Sequence, residues 1–275
     1  MDVQVHEPAP ALRPFFKSYF TAMGLLPTLY TAPILPCTYS VMQFNFAEPV
    51  RLDGPANGGG AMAPLTVCGQ TVRPFAMHFA GEVATLGVMV EPATYRLLFG
   101  AAMSDLVDHV HDAAALLGST RARSLYADME RYRTRPTDLV AAFERFWYRA
   151  LSAKLRVPAG MAGALAAIRA GGGQEPVGAL AHRLGTGRRT LERRFAEHVG
   201  LSPKGWSRLV RFNGMLGALA NHPALAQAAL ESGYYDQAHF QHEFRALAGL
   251  TPRQFVVTMQ AREPHPLDAL AGALL

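Results

Sequence analysis

The chain is poor in cysteine, with only Cys37 and Cys68. That excludes a disulfide-stapled scaffold and any structural zinc site built from four cysteines. No apolar run reaches the roughly 18 residues that a membrane-spanning helix needs. The opening MDVQVHEPAP lacks the basic stretch followed by an apolar one that marks a secretory signal. No P-loop, dinucleotide-binding glycine pattern or G-x-S-x-G elbow occurs. Charge is also scarce, at 17% of the 275 residues, while 50% are hydrophobic, which is too apolar for a disordered chain. These absences lead to the expectation of a reduced, cytoplasmic, globular protein, and the length suggests about two domains.

The charge that is present is unevenly placed. Residues 1–153 carry 12 Lys and Arg against 13 Asp and Glu, whereas residues 154–262 carry 14 against 6. A near-neutral half followed by a basic half suggests a division of labour, in which the basic half attracts an anionic partner such as DNA. Position 263 onward adds Glu263 and Asp268 and reads as a tail.

The first third reads as β. Met42, Phe44 and Phe46 alternate with Gln43 and Asn45, so they share one face of a strand. Leu65–Cys68, Phe75–Phe79 and Ala84–Val90 are further short strand candidates, and Gly, Pro and Asn mark 52–64 as a loop. Short strands of this kind predict a small barrel or sandwich. Beyond Pro92 the pattern turns helical: Tyr95, Leu98 and Phe99 share a face, as do Leu106, Val107 and Val110. In 138–152, Leu139, Phe143, Phe146 and Trp147 form an apolar stripe. Helices at 119–133 and 137–152 are candidates for a dimer interface, and 154–160 reads as a linker. The fold class expected is α+β: a β-rich, sensor-like domain with trailing helices over 1–153, then an all-α domain over 160–262.

The basic half contains a repeat. GLSP at 200–203 recurs as GLTP at 249–252, and the same offset of 49 pairs Leu191 with Phe240 and Phe195 with Phe244. Each is preceded by an Ala-rich helix, VGALAHRLG (177–185) and ALAQAALESG (224–233). Each unit is therefore a short helix, a turn, a second helix and Gly-Leu-Ser/Thr-Pro, a helix-turn-helix present twice. In the first unit Leu191, Phe195 and Val199 lie at helical spacing and face a core, which turns Arg189, Glu192 and Arg193 outward, with Arg188 at the helix start. In the second, Asp236 can cap the helix, Phe240, Phe244 and Leu247 face inward, and Gln237, Ala238, Gln241, His242 and Arg245 are left outward. Ser202 and Thr251 each precede a proline, the pattern of an N-cap with Pro at the first helical position. The helix from Pro203 to Ala220 joins the units, with Trp206, Leu209, Phe212 and Leu216 as packing residues.

The stretches RRTLERRFAEHVGLSP (188–203) and ESGYYDQAHFQHEFRALAGLTPRQF (231–255) resemble the DNA-binding domain of AraC/XylS-type transcriptional regulators. The resemblance covers about 160–258. It implies that the second helix of each unit enters one of two successive major grooves of double-stranded DNA. It also implies base-edge contact from Arg189, Glu192, Arg193, Gln237, Gln241 and His242. Arginine pairs best with guanine, glutamine with adenine and glutamate with cytosine. Arg188, Arg194, Arg208 and Arg245 are the expected phosphate contacts, and Arg211 is expected to be structural or to touch the backbone. His242 departs from the family, which commonly has Arg there; neutral histidine is the weaker ligand, and its charge changes near neutrality. Glu192 either accepts from cytosine or bridges to Arg188 or Arg189. The segment 84–109 is similar to the N-terminal region of a poorly characterised branch of these regulators.

The expected function is a sequence-specific regulator of transcription, not an enzyme, with no cofactor and no metal. Its partners would be double-stranded DNA, the transcription machinery, a small-molecule effector in the first half and a second copy of the chain. Phe44, Phe46, Phe75 and Phe79 either line an effector pocket or form an ordinary packed core. His109 and His111, two apart on an expected helix, point to different faces and do not chelate together. The competing readings are a small β-barrel enzyme with a helical tether, and a protein-interaction module. The first needs an acid/base or metal cluster, which the sequence does not assemble.

Overall fold

The computed structural model describes residues 1–54, 59–100, 102–151, 159–221 and 237–268. Its first half is an antiparallel sheet of eight strands: β1 (Asp2–His6), β2 (Phe16–Ile34), β3 (Ser40–Asn45), β4 (Arg51–Asp53), β5 (Gly60–Ala61), β6 (Leu65–Cys68), β7 (Phe75–Val90) and β8 (Val110–Asp112). The main order is β1-β2-β7-β3-β6-β8, with β4 on β7 and β5 on β4. The long β2–β7 pair is the spine, running from Phe16 opposite Val90 to Ile34 opposite Phe75.

Two expectations are corrected here. Phe75–Phe79 and Ala84–Val90 are one strand, not two; in β2, which the sequence does not mark as a strand, alternation is lost because residues 19–22 are buried on both faces. The sheet absorbs Pro27 at a register shift between Leu26 and Tyr30, where the missing amide hydrogen breaks no ladder bond. The helical face expected of Leu106, Val107 and Val110 is instead a 3-10 turn, Met103–Leu106, followed by β8. His111 therefore sits on a strand two residues after His109, and the rings come within 5.9 Å of each other rather than diverging.

Both faces of the sheet are covered. Helix α1 (Pro92–Phe99) lies between β7 and β8 in the chain, and α2 (Ala113–Leu117), α3 (Ser119–Glu130) and α4 (Pro136–Leu151) follow β8. Met42, Phe44 and Phe46 share a face as expected, and with Phe16 and Tyr19 they meet Leu125, Met129, Leu139 and Trp147. Phe143 stands edge-on to Phe16 and to Tyr19 at 5.3 Å each, a favoured aromatic geometry. The opposite face buries Phe20, Leu26, Phe75, Met77 and Phe79 in a separate cluster. The apolar faces of the helices proposed for a dimer are thus spent on the sheet.

The second half is helical: α5 (Ala159–Ala170), α6 (Val177–Arg183), α7 (Arg188–Val199), α8 (Pro203–Asn221), α9 (Gln237–Ala248) and α10 (Pro252–Ala261). One core runs through it, from Leu165, Ile168 and Leu180 through Leu191, Phe195 and Trp206 to Phe212, Phe240 and Phe244. Of the linker expected at 154–160, positions 154–158 lie outside the described residues, as do the Ala-rich helix at 224–233 and Asp236, while positions 159 and 160 already belong to α5.

The halves are docked. Arg169 of α5 lies over Tyr39 at 4.8 Å and Trp206 at 5.5 Å, and pairs with Glu91 at 3.1 Å. Asn213 of α8 donates to the Pro36 carbonyl at 2.9 Å and accepts from the Thr38 amide at 3.0 Å, so a buried amide is satisfied on both sides across the boundary. No helix among the described residues is long and apolar enough to cross a membrane.

Candidate nucleic-acid interface

The repeated Gly-Leu-Ser/Thr-Pro element works as a punctuation mark between helices. Gly200 closes α7 in the left-handed conformation (φ +81°), its amide donating to the Phe195 and Ala196 carbonyls. Gly249 (φ +74°) follows α9 and donates to the Arg245 carbonyl at 3.0 Å. The next helix then starts on its hydroxyl cap. The Ser202 oxygen accepts from the Gly205 amide at 3.0 Å, and the Thr251 oxygen accepts from the Gln254 amide at 3.3 Å. Gln254 reaches back to the Thr251 amide, completing a capping box. Pro203 and Pro252 occupy first helical positions, where no amide hydrogen is needed.

These stops fix which face of each second helix is free. On α7, Leu191, Phe195 and Val199 are buried, while Arg188, Arg189, Arg193 and Arg194 are exposed and Glu192 is half-buried. On α9, Phe240, Phe244 and Leu247 are buried, while Ala238, Gln241, His242 and Arg245 are exposed. Gln237 begins α9, but its side chain lies outside the described residues. Phe240, Phe244 and Phe255 pack against one another, with Phe244 edge-on to Phe255 at 5.4 Å, so none serves as a platform for bases.

Several of the arginines are already paired. Arg188 donates to Glu192 at 2.9 Å, one turn on, and Arg193 donates to Glu197 at 3.0 Å. Glu197 also meets Arg96 of α1 at 3.5 Å, which links the outward face of α7 to the sheet domain. These pairs are exposed and hold their partners weakly, so a phosphate or base can compete for them. The Glu192 alternative open in the sequence resolves, in the free protein, to the bridge with Arg188. His198, on the side of α7 toward α1, has its pKa lowered by burial and by the nearby Arg96.

Arg208 and Arg211 are held differently. Glu243 of α9 is buried and accepts from Arg208 at 2.8 Å and Arg211 at 3.1 Å, while Arg211 also donates to the Gly173 carbonyl at 2.7 Å. Burial alone would raise the Glu243 pKa, but the hydrogen bond and charge of Arg211, with Arg208 beside it, outweigh that and lower it. This clamp ties the second unit to the joining helix. The sequence reading missed Glu243, since a glutamate between outward positions resembles any surface charge.

In the sheet half, Phe75 and Phe79 line an apolar cavity of about 60 Å³ together with Phe20, Ala32, Cys37 and Cys68. Phe44 and Phe46 belong to the other face, the packed core. Burial pushes the Cys37 thiol up to about 11 and the Cys68 thiol up to about 12, so both are held as unreactive neutral groups at ordinary pH. No group of three or more His, Cys, Asp or Glu side chains suited to a metal occurs among the described residues.

A β-rich domain carrying an apolar cavity is thus joined to a helical half in which α6 and α7 form a helix-turn-helix with a basic outward face, and α9 presents Gln241, His242 and Arg245. Residues 180–256 match the family described as "Helix-turn-helix domain", and residues 4–112 match "Domain of unknown function (DUF6597)". The helix-turn-helix match spans both repeated signatures, the stretches that resemble AraC/XylS-type DNA-binding domains. Among solved structures it is similar to ToxT from Vibrio cholerae O395, with 9% identity and a TM-score of 0.48 over 94% of this chain and 99% of that one. It is also similar to ToxT bound to (E)-4-(8-methylnaphthalen-1-yl)but-3-enoic acid, with 11% identity and a TM-score of 0.49 over 94% and 100%. The AraC-like transcriptional activator CuxR gives 14% identity and a TM-score of 0.28 over 84% and 91%. No curated protein matches the chain.

Proposed function

We propose that the chain is a sequence-specific transcriptional regulator that places α7 and α9 in successive major grooves on one face of the duplex. Residues 160–262 do the reading, and residues 1–153 form the sensing half. The observation that carries this is the common orientation of the two helices in the repeat. Each hides its Leu/Phe stripe and leaves Arg189 and Arg193, or Gln241 and His242, in solvent. Arg189, Arg193 and Glu192 read bases in the first half-site, and Gln237, Gln241 and His242 read the second. Arg188, Arg194 and Arg245 lie on phosphates, and Arg208 approaches the backbone only if it leaves Glu243. Double-stranded DNA and the transcription machinery are the partners, with a second copy of the chain available through the outer surfaces of α3 and α4.

The apolar cavity in the sheet half is the site of a small-molecule effector. The test begins with genomic fragments retained by the purified protein. On the cognate fragment, Arg189→Ala should weaken binding by about 1–3 kcal/mol and relax preference at one base pair, with little change on random DNA. Equal losses on cognate and random DNA would remove Arg189 from base reading.

A further inference from the structure

The cavity is not lined by the sheet alone. Leu267 and Asp268, which lie beyond α10 of the DNA-reading half, complete its wall. Leu267 is 1% exposed and belongs to the same apolar cluster as Phe20, Leu26, Phe75 and Phe79. A compact latch holds it there. His265 stacks on Tyr30 at 3.9 Å, and the Arg262 guanidinium lies over the same ring at 5.0 Å while donating to the Thr31 carbonyl at 2.8 Å. Asp268 accepts from the Tyr30 hydroxyl and, at 2.8 Å, from the His265 amide, and meets Arg262 at 3.3 Å. With Leu267 in place, the free space of about 60 Å³ is large enough for a few atoms and too small for a drug-sized molecule, which takes about 300 Å³ or more.

We infer that residues 262–268 are a plug: the Leu267 side chain fills the place of an effector, and a bound effector must expel it. This rests on the reading of the cavity as an effector site. The cavity also names the effector's chemistry. Among the described residues no Lys, Arg or His lines it, and its one charged wall group, Asp268, arrives with the plug. The permanent lining is aromatic, aliphatic and sulfur-bearing, with Gln43, Thr66, Thr71, Tyr30 and Tyr39 as its neutral side chains that carry polar atoms. A carboxylate or sulfonate would be buried there without a counter-ion, so the ligand is an uncharged apolar molecule. Expulsion would also reach the reading helices, because the plug continues directly from α10, whose Phe255 packs on Phe244 of α9.

The test uses two dyes with one ring system, neutral N-phenyl-1-naphthylamine and its sulfonated relative 1-anilinonaphthalene-8-sulfonate. They are titrated by fluorescence against the full chain, Leu267→Ala and Asp268→Asn, each first shown to melt cooperatively. Leu267→Ala should bind the neutral dye at least tenfold more tightly than the unaltered chain. Asp268→Asn, which keeps the leucine but weakens the latch, should move the same way by a smaller factor, and the sulfonate should gain less than threefold in both. Saturating neutral dye should also speed tryptic cleavage after Arg262 in the unaltered chain. Ala32→Phe, placed in the Leu267→Ala chain to fill the cavity, should abolish the gain. If the unaltered chain binds the neutral dye as tightly as Leu267→Ala, and Ala32→Phe removes that binding, the plug is refuted while the effector site stands. Binding that survives Ala32→Phe refutes both, and an equal gain for the sulfonate refutes the assignment to uncharged ligands.

Discussion

Glu243 illustrates how one side chain can decide whether a helix is displayed or merely present. Its carboxylate is buried, and it is tolerated because two guanidiniums from α8 point at it. Removing one member of a buried ion cluster leaves the others uncompensated, which costs more than the cluster itself contributes. Arg208 keeps 35% of its side chain in solvent and Arg211 keeps 15%, so the penalty is discounted for screening. Glu243→Gln should therefore lower stability at pH 7 by about 1–3 kcal/mol in urea unfolding. The sign of the pH dependence follows from the lowered pKa. The stabilisation is present above the ordinary glutamate value of 4.5 and is lost as the pH falls through the lower folded value, so the gap between wild type and Glu243→Gln should close on acidification. A gap that stays constant down to pH 3 would mean that packing, not charge, is what Glu243 supplies. Arg189 and Arg193 belong to the opposite category, exposed and lightly held, and their substitution should be read in DNA binding rather than in folding.

Between helices, the repeat shows what a sequence pattern can and cannot disclose. Gly200 and Gly249 occupy equivalent positions and both adopt positive φ, so the need for glycine was legible from the repeated Gly-Leu-Ser/Thr-Pro. Their surroundings were not. A Cβ on Gly200 would lie 2.6 Å from the Met103 carbonyl oxygen and 2.7 Å from a Val107 methyl, because α7 docks on the sheet domain. At Gly249 the nearest atom is Pro74 Cγ at 3.3 Å, a contact that can give. Gly249→Ala should cost about 1–2 kcal/mol from backbone strain alone. Gly200→Ala should exceed it by about 1 kcal/mol or more, since a carbonyl must move. Matched denaturant curves test this, and equal losses would show that α7 does not bear on the 3-10 turn in solution. The same limit explains the rest of the sequence reading. The Leu/Phe stripes of α7 and α9 repeat at helical spacing and could be assigned from residue type. β2 could not, because residues 19–22 are buried on both faces and the bulge that accommodates Pro27 depends on β7, some fifty residues away. The plug was equally hidden, for nothing local to Leu267 or Asp268 says that Tyr30 is their partner.

Across the whole molecule the basic charge sits in one half, and DNA binding should report how many cations actually reach phosphate. Each phosphate neutralised releases condensed counterions, so log affinity falls with log salt by about 0.9 per contact. With Arg188, Arg194 and Arg245 as the phosphate partners, the slope should be about −3 in a titration across 50–300 mM salt on the cognate fragment. Arg245→Ala should bring it nearer zero by about one contact's worth, and should do so equally on random DNA, since a phosphate contact carries no sequence information. Arg183 is the control: it lies on α6, bound to Glu175, and its replacement removes the same formal charge from the same half. If Arg183→Ala changes the slope as much as Arg245→Ala does, the salt dependence reflects the overall field of the basic half, and the second unit makes no specific backbone contact through α9. If only Arg245→Ala changes it, α9 lies against the duplex. The second unit then contributes in its own right, even with His242 rather than an arginine on its outward face.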